Sequence, residues 1–340
     1  MLKKSSIRFA IIGCGKIAHR HAEHIISKAE LKAVCDTDIL KAENFAKKYQ
    51  VDWYSSIEEL FRNQNFEVAV ICTPNGLHSE QTVYAIQNGV HVICEKPMAI
   101  SVKDCQLMLD AAQKNKKELF IVKQNRYNPP VVELKKAIDE GKLGRVFSIQ
   151  LNCFWHRDSS YYKEENWRGT KALDGGVLYT QFSHFIDLML WLMKDEVADV
   201  TSLMNNYLHK GITEFEDTGI VSLRFLNGAI GSIHFTTNSY RKNMEGSITV
   251  FGEKGTVKIG GEYLNQLVYQ QIEDFTIVEN QSTIPPNQYG NYTGSMSNHG
   301  LFYDNVLDVL ENKAEKTTDM YEAMKTVDLI ERIYQSANVQ

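Results

Sequence analysis

The first 125 residues alternate short, continuous apolar runs with longer amphipathic stretches. Continuous Val/Ile runs separated by helical segments indicate a parallel sheet, because only strands covered on both faces stay apolar throughout. The pattern therefore predicts a doubly wound α/β domain, in which ligands bind at the carboxyl ends of the strands. The predicted strands are IRFAIIG, LKAVCD, VAVICTP, HVICEKP and LFIVKQN, and the predicted helices cover residues 17–29, 39–49, 79–88 and 102–115.

The sequence GCGKIA follows the first predicted strand, and its Gly13, Gly15 and Ala18 match the G-x-G-x-x-G/A pattern. In a Rossmann domain, the first glycine permits a tight turn, the second lets the backbone approach a pyrophosphate, and the small third residue allows close helix packing. The alternative is a turn that the glycines merely shape. Asp36 ends the second strand, near the position of the carboxylate that holds the adenosine ribose. This carboxylate would repel a 2′-phosphate, so NAD is favoured over NADP.

Three successive strand ends carry polar residues on the same side of the predicted sheet. An ordinary loop, or a charged strand end that simply reaches water, is the alternative for each of them alone. Together they predict a ligand-binding edge. Its residues are Thr73, Pro74 and Asn75 before a helix that begins near His78, then Lys96 in CEKP, then Lys123, Gln124, Asn125 and Arg126.

The pattern changes after residue 126. A helix near 129–140 precedes the alternating runs VFSIQLNCFW, TGIVSLRFL, AIGSIHFTTN, GSITVFG and GTVKIGG, which Gly and Asn turns separate. Period-two alternation predicts a large, mostly antiparallel sheet with one face covered, and hence an α+β domain. We expect domains at 1–125 and 126–340, a loop at 280–298 and helices at 300–312 and 318–336. The last helix is able to pack back on the first domain.

Within the second domain, DGGVLYTQFSHFIDLMLWLM predicts a strongly apolar helix after Gly175 and Gly176. Thr180, His184 and Asp187 fall at i, i+4 and i+7, which places them in one polar stripe. His184 is then either a core histidine whose hydrogen bond to Asp187 is satisfied or a functional group, and Asp187 either orients its ring or has a separate structural role. The aromatic and basic NWRGT segment nearby is either surface packing or part of a site.

Composition limits the class of protein. A chain of 340 residues with 43% hydrophobic residues is long enough for two domains with sizeable cores. A net charge of -5 and no long Lys/Arg tract argue against nucleic acid, and the absence of a long apolar window argues against a membrane span or signal peptide. We therefore expect a cytoplasmic protein. Scattered cysteines, and histidines in HRHAEH without the usual ligand spacing, predict neither disulfides nor a metal, and His21 stays unassigned.

The combination of AIIGCGKIA, EKPMA and GGVLYTQFSHFIDL resembles the Gfo/Idh/MocA family of oxidoreductases over essentially the whole chain. The resemblance implies NAD-dependent oxidation of a secondary alcohol. It also implies that Lys96, aimed by Pro97, lies beside the nicotinamide and that His184 is the helix histidine. Many members carry an aspartate where this chain has Thr180, so the aspartate-assisted mechanism does not carry over. Within the family, VKQNR, FWHR, WRGT, EDTG and EGSITVFGEKGTV most resemble dehydrogenases that oxidise C3 of UDP-N-acetylglucosaminuronic acid.

With the resemblance, the strand-end positions predict two overlapping sets of site residues. Lys96 and His184 are the catalytic pair: His184 takes the hydroxyl proton while Lys96 stabilises alkoxide character. The alternatives are an inositol or other sugar dehydrogenase and a non-catalytic sugar-sensing regulator, and a homodimer or homotetramer is expected. The cofactor set is Gly13, Gly15, Lys16, Ile17, Asp36, Thr73, Asn75, His78, Glu95, Lys96, Gln124, Trp167 and Arg168; the substrate set is Lys96, Lys123, Asn125, Arg126, Arg157, Tyr162, Arg168, Gln181 and His184.

Overall fold

The computed structural model describes residues 4–278, 285–288 and 293–337. The chain forms two compact units. The first unit contains the residues up to Val122 together with His299–Met324, and the second contains Lys123–Asn298 together with the residues from Lys325 onward.

The first unit is built on a six-stranded sheet in the order β3-β2-β1-β4-β5-β6, in which every neighbouring pair is parallel. This confirms the parallel α/β prediction. The short strand β3 was not predicted, since its DWY sequence is largely exposed and offers no apolar run. The strands are β1 (Arg8–Ile12), β2 (Glu30–Cys35), β3 (Asp52–Tyr54), β4 (Val68–Ile71), β5 (His91–Cys94) and β6 (Leu119–Ile121).

Helices of the first unit begin soon after the strands that precede them. They are α1 (Lys16–Lys28), α2 (Ile39–Tyr49), α3 (Ile57–Asn63), α4 (His78–Gln87) and α5 (Val102–Asn115). Side-chain caps fix several of these starts: Asp38 accepts a hydrogen bond from the Lys41 amide, and Ser101 accepts one from the Asp104 amide. Every strand therefore delivers its carboxyl end to the same edge of the sheet, where the predicted ligand residues lie.

The second unit is built on a seven-stranded sheet in the order β13-β12-β11-β7-β10-β9-β8. Its neighbouring strands are antiparallel except for β7 and β10, which are parallel, so the mostly antiparallel prediction is confirmed. The edge strands β8 and β13 were not predicted. The strands are β7 (Val146–Phe154), β8 (Val197–Asn205), β9 (Thr218–Phe225), β10 (Ile230–Thr236), β11 (Glu245–Gly252), β12 (Gly255–Gly260) and β13 (Gln266–Ile272).

One face of this sheet is buried and the other exposes apolar side chains. Along β9, the side chains alternate strictly between buried and exposed positions, and Ile220 on β9 and Ile230 on β10 are both exposed. The remaining elements of this part of the chain are α6 (Pro129–Asp139), α7 (Ser159–Lys163), α8 (Val177–Thr180), α9 (Ser183–Met193) and a hairpin of β14 (Pro286–Gln288) with β15 (Thr293–Met296).

The last helices are α10 (His299–Leu310), which belongs to the first unit, and α11 (Met320–Ala337). The predicted loop at 280–298 is wrong where β14 and β15 pair. Residues 280–284 and 289–292 of that region lie outside the described residues. Within the described part of the chain, no helix combines the length and the apolar character that a membrane crossing needs.

Candidate active site

The turn after β1 has the backbone that the glycine fingerprint requires. Gly13 has a φ of +94°, and a Cβ there would lie 2.7 Å from the carbonyl carbon of Cys72, so only glycine fits. A Cβ on Gly15 would meet nothing within 4 Å, and Gly15 caps α1 without a side-chain hydrogen bond. The first turn of α1, with Lys16 and Ile17, thus begins beside open space, as pyrophosphate binding at a helix N-terminus requires.

Asp36 lies beside this turn at the end of β2. Its Oδ2 accepts a hydrogen bond from the Cys14 amide at 2.8 Å, and its Oδ1 accepts one from the Asp38 amide at 2.9 Å. A carboxylate oxygen has two acceptor positions, so each oxygen keeps one for a ribose hydroxyl. The residues present therefore fit the predicted NAD, with the pyrophosphate at the glycine turn and the adenosine ribose at Asp36.

The strand-end loops after β4 and β5 are joined by His78. Nδ1 of His78 lies 2.7 Å from the carbonyl of Pro97, and Nε2 lies 3.0 Å from the carbonyl of Thr73. Burial lowers the pKa of His78, although both carbonyls act in the opposite direction. Asn75 is buried in the short 3-10 turn between these residues. The structure thus brings Thr73, Asn75 and His78 together, while their contact with the cofactor stays a prediction.

Glu95 is buried beneath the Lys96 loop. Its Oε2 accepts a hydrogen bond from the Lys96 amide at 3.0 Å, and its Oε1 lies 2.8 Å from Nε2 of His21. The hydroxyl of Tyr303 lies 2.8 Å from Nδ1 of the same ring, and Nε2 of His299 lies 3.6 Å from Glu95 Oε1. We call these four side chains, His21, Glu95, His299 and Tyr303, the Glu95 cluster.

The Glu95 cluster was not predicted. Ligand atoms of His21, Glu95 and His299 lie within 4.8 Å of one another, a spacing that a metal ion is able to use. The histidines of HRHAEH lack ligand spacing on their own helix. The ligand atoms of this cluster come instead from three elements, namely α1, the end of β5 and α10. The histidine at the start of α10, next to a predicted helix, was the one available signal.

His184 lies in the second unit, on α9, and is almost completely buried. Its Nε2 lies 3.0 Å from the side-chain amide nitrogen of Gln124, which also donates to the hydroxyl of Ser295 at 3.1 Å. Because an amide N–H only donates, Nε2 of His184 is the acceptor in this pair. The ring is therefore unprotonated at Nε2, and the one lone pair of that nitrogen is held by Gln124.

Asp187 pairs with Lys123 and Arg126, which is a structural role of the kind that the sequence left open for this residue. Burial would raise the pKa of Asp187, but Arg126 and Lys123 together hold that pKa well below its usual range. Arg126 donates to both carboxylate oxygens at 2.8 Å, and Nζ of Lys123 lies 2.9 Å from Oδ1. Two cations and one anion leave this buried triad with one net positive charge. Lys123 and Arg126 are thus tied to a structural partner, and their contact with substrate stays a prediction.

The single polar stripe of Thr180, His184 and Asp187 is also wrong, because the helix is interrupted. The segment splits into α8 and α9, and the Phe182 amide bonds to the Val177 carbonyl in an i to i−5 pattern. The hydroxyl of Thr180 instead donates to the carboxyl of Asp174. Periodicity alone assumed a continuous helix, and it could not detect this local change in hydrogen bonding.

Arg157, Gln181 and Arg168 converge around Tyr161, which sequence reasoning missed. Arg157 donates to Oε1 of Gln181 at 2.9 Å, and Gln181 donates to the Tyr161 hydroxyl at 2.7 Å. Arg168 donates to the Tyr161 carbonyl at 3.0 Å, and its guanidinium lies 4.2 Å from the Tyr161 ring centroid. Tyr162 packs edge-on against Tyr161, and the Arg168 guanidinium lies 5.7 Å from the Trp167 ring centroid. The aromatic and basic density of HRDSSYYKEENWRG was the available signal.

Asn125 differs from these paired residues. Its side chain is buried, and neither its amide nitrogen nor its amide oxygen has a hydrogen-bond partner among the described residues. Buried amides are ordinarily satisfied, so this one is available to a ligand or a water molecule. The structure thus groups the second-unit residues into the Asp187 triad, the Tyr161 group and the Gln124–His184 pair.

Comparison with known proteins matches both halves of the chain. The NAD-binding Rossmann-fold model of the Gfo/Idh/MocA oxidoreductases matches residues 7–123, and the model of their C-terminal α/β domain matches residues 135–340. The crystal structure of the WlbA dehydrogenase from Bordetella pertussis, in complex with NADH and UDP-GlcNAcA, is 35% identical with a TM-score of 0.88. That alignment covers 98% of this chain and 97% of the other.

Two curated bacterial relatives are more distant. The 1-carboxy-3-chloro-3,4-dihydroxycyclohexa-1,5-diene dehydrogenase of Comamonas testosteroni is 28% identical over 73% of this chain, which spans 63% of that enzyme's length. Inositol 2-dehydrogenase of Salmonella typhimurium is also 28% identical, over 57% of each protein. With both family domains present across the chain, the protein belongs to the NAD-binding Gfo/Idh/MocA oxidoreductase family.

Proposed function

We propose that the protein oxidises the 3-hydroxyl of UDP-N-acetylglucosaminuronic acid with NAD, for the synthesis of an amino-sugar acid of a surface polysaccharide. The similarity to WlbA, over nearly the full length of both chains, is the observation that carries this proposal. Its published complex holds both NADH and UDP-GlcNAcA, and this chain retains the lysine and the histidine that the chemistry needs.

Oxidation of a secondary alcohol removes a hydride from carbon and a proton from oxygen. Bound NAD supplies the hydride acceptor, and the glycine turn with Asp36 would hold it. His184 takes the hydroxyl proton at Nε2, once the substrate hydroxyl replaces Gln124 as the partner of that nitrogen. The Lys96 ammonium stabilises the negative charge that develops on the oxygen as the carbonyl forms.

The substrate carries a carboxylate and a diphosphate, so its site should contain fixed cations and donors. Arg157 and Arg168 are buried and held in place by hydrogen bonds around Tyr161. Lys123 and Arg126 are further fixed cations, paired with Asp187 as Arg168 is with Glu164, and the side-chain amide of Asn125 has no internal partner among the described residues. Fixed cations and an available amide favour an anionic substrate over free inositol.

The alternative with most support is another sugar dehydrogenase of the family, such as an inositol dehydrogenase. A non-catalytic sugar sensor is less compatible, since Lys96 and His184 are both retained.

We also propose that subunits pair through the exposed apolar face that includes Ile220 and Ile230, giving a homodimer or homotetramer. A cytoplasmic location, and no partnership with nucleic acid or membrane, stay predictions.

The test incubates purified protein and NAD with UDP-N-acetylglucosaminuronic acid, UDP-N-acetylglucosamine or myo-inositol, with and without a 2-oxo acid that would reoxidise bound NADH. Each reaction is coupled to an aminotransferase, and the product is identified by mass. We expect product from the uronic acid and none from the other two, with His184→Asn as the inactive control. Turnover of inositol or the neutral nucleotide sugar without the uronic acid would refute the proposal.

A further inference from the structure

A buried chain of hydrogen bonds leads from α10 to the backbone of Lys96. It runs from the Tyr303 hydroxyl to Nδ1 of His21, from Nε2 of His21 to Glu95, and from Glu95 to the Lys96 amide. His21 and Tyr303 have no exposed surface, and Glu95 has 5%. Tyr303, His21, Glu95 and Lys96 all belong to the first unit. The proposed chemistry does not use Tyr303 or His21.

The environment fixes the direction of each hydrogen bond. Burial would raise the pKa of Glu95, yet the hydrogen bond from His21 and the nearby His299 ring hold that pKa well below its usual range, so Glu95 is an ionised acceptor. Burial raises the pKa of Tyr303, so its hydroxyl keeps the proton and is available as a donor. Because an ionised carboxylate only accepts, Nε2 of His21 donates to Glu95, and the Tyr303 hydroxyl is placed to donate to Nδ1 of the neutral ring.

His299 forms one wall of this cluster. Its ring packs edge-on against His21, with centroids 5.4 Å apart and an interplanar angle of 80°. Burial lowers the pKa of His299, which favours the neutral ring. The separation of 3.6 Å between its Nε2 and Glu95 Oε1 is longer than a normal hydrogen bond. His299 thus leaves His21 as the principal donor to that oxygen.

We propose that His21 and Tyr303 are positioning residues for Lys96. They anchor one oxygen of Glu95, so that the other oxygen holds the Lys96 amide. This bond fixes the direction of the backbone at Lys96, just after β5. Without the Tyr303 hydroxyl, Nδ1 loses its partner and only the bond to Glu95 holds the ring, so Glu95 is positioned less firmly. The inference rests on the proposed function in one respect, namely that Lys96 stabilises the negative charge on the reacting oxygen.

The kinetic test compares Tyr303→Phe, which keeps the ring and removes only the hydroxyl, with Tyr49→Phe. Tyr49 makes the same kind of bond, 3.0 Å to Nδ1 of His19 on the same helix α1, but it has no connection to Glu95. We expect Tyr303→Phe to lower kcat about 10-fold, the effect of one lost buried hydrogen bond, with an unchanged Kd for NAD. Tyr49→Phe should leave kcat unchanged.

A double-mutant cycle separates positioning from general destabilisation. If Tyr303 acts through Glu95, Tyr303→Phe should lower kcat no further in a Glu95→Gln background. Independent, multiplicative losses in the double variant would overturn the proposal, and so would full kcat in Tyr303→Phe. His21→Gln, whose amide is able to donate to Glu95, should recover part of the activity that His21→Ala loses.

A readout without substrate keeps the inference separate from the proposed function. In protein labelled with 15N-histidine, long-range NMR correlations should show His21, assigned by its loss in His21→Gln, as the tautomer protonated at Nε2. Tyr303→Phe should move the Nδ1 signal of this ring, because Nδ1 loses its hydrogen-bond donor. If the unmodified protein oxidises none of the substrates, the proposed function fails and this spectrum alone decides the inference.

Metal binding would give a different result. Elemental analysis of the purified protein should find no stoichiometric transition metal. One equivalent of metal that disappears in His299→Ala would overturn the proposal, because Nε2 of His21 would then be a ligand and would not donate to Glu95.

Discussion

The side-chain amide of Gln124 lies 3.0 Å from Nε2 of His184 and can only donate to it. The pair comes from two different elements, the short 3-10 turn after Lys123 and helix α9. Since Asp187 is bound to Lys123 and Arg126, Gln124 rather than the carboxylate one turn along the helix contacts the predicted base.

Replacing His184 by Asn should lower kcat by roughly 100-fold or more, because no other group is assigned to accept the hydroxyl proton. Gln124→Ala should have a smaller effect, about 10-fold, since it removes a hydrogen bond that fixes the ring. His91→Asn, at the start of β5, is the matched histidine control and should leave kcat unchanged. Steady-state kinetics with each variant provide the measurement, and full turnover by His184→Asn would remove this residue from the mechanism.

Lys96→Met should also lower kcat by roughly 100-fold, since it removes the charge that stabilises the developing alkoxide. The affinity for NAD, measured by fluorescence titration, should stay within a few-fold. Lys103→Met, an exposed lysine on α5, serves as the control for loss of one positive charge. Equal activities of the two lysine variants would contradict the electrostatic role of Lys96.

Asp36→Ser should narrow the preference for NAD over NADP, because it removes a negative charge from the position predicted to face the 2′-oxygen. The control is Asp38→Ser, two residues along the chain. Asp38 caps α2, and serine is an equally good cap, so both folding and cofactor preference should persist. Calorimetric titration with both cofactors tests this, and equal affinities in the unmodified protein would show that Asp36 does not discriminate.

Asp187→Asn should destabilise the protein by about 3–5 kcal/mol, because it leaves Lys123 and Arg126 buried with uncompensated charge. Asp139→Asn, which breaks more exposed ion pairs with Lys135 and Lys194, should cost about 1 kcal/mol or less. The free energy of unfolding in urea gives both values. Since the pKa of Asp187 is depressed in the folded protein, its contribution is present above the unfolded pKa of about 3.9 and decreases as the pH falls below it.

Asp174 should show the opposite dependence on pH. Burial raises its pKa to about 6, although the Thr180 hydroxyl and the Gly169 amide act to lower it. The folded protein therefore binds a proton that the unfolded chain has lost, and stability should fall by about 2–3 kcal/mol as the pH rises from 4 to 6 and then level off. Asp174→Asn should abolish this decrease in denaturant titrations. An unchanged pH profile would contradict the assignment.

The strands that the sequence predicts are those with covered faces or regular alternation. Continuous apolar runs located β1, β2, β4, β5 and β6, and period-two runs located five strands of the second sheet. The missed strands β3, β8 and β13 lie at sheet edges, and so do both strands of the missed β14–β15 hairpin. An edge strand has one unpaired side and more exposed residues, so its composition need not differ from that of a loop.

Local sequence likewise identified the glycine turn, Asp36, the Lys96 loop and the His184 helix, because each depends on backbone conformation or position within a few residues. The partners of these groups depended on tertiary structure. A helical period placed His184 near Asp187 in sequence, but a buried carboxylate needs cations, and Lys123 and Arg126 supply them from another element. His21, Glu95 and Tyr303 are distant along the chain, and only the return of α10 to the first unit brings them into contact. Sequence thus determined which chemical groups are present and on which elements, while long-range packing and the cost of burying charge decided which groups pair.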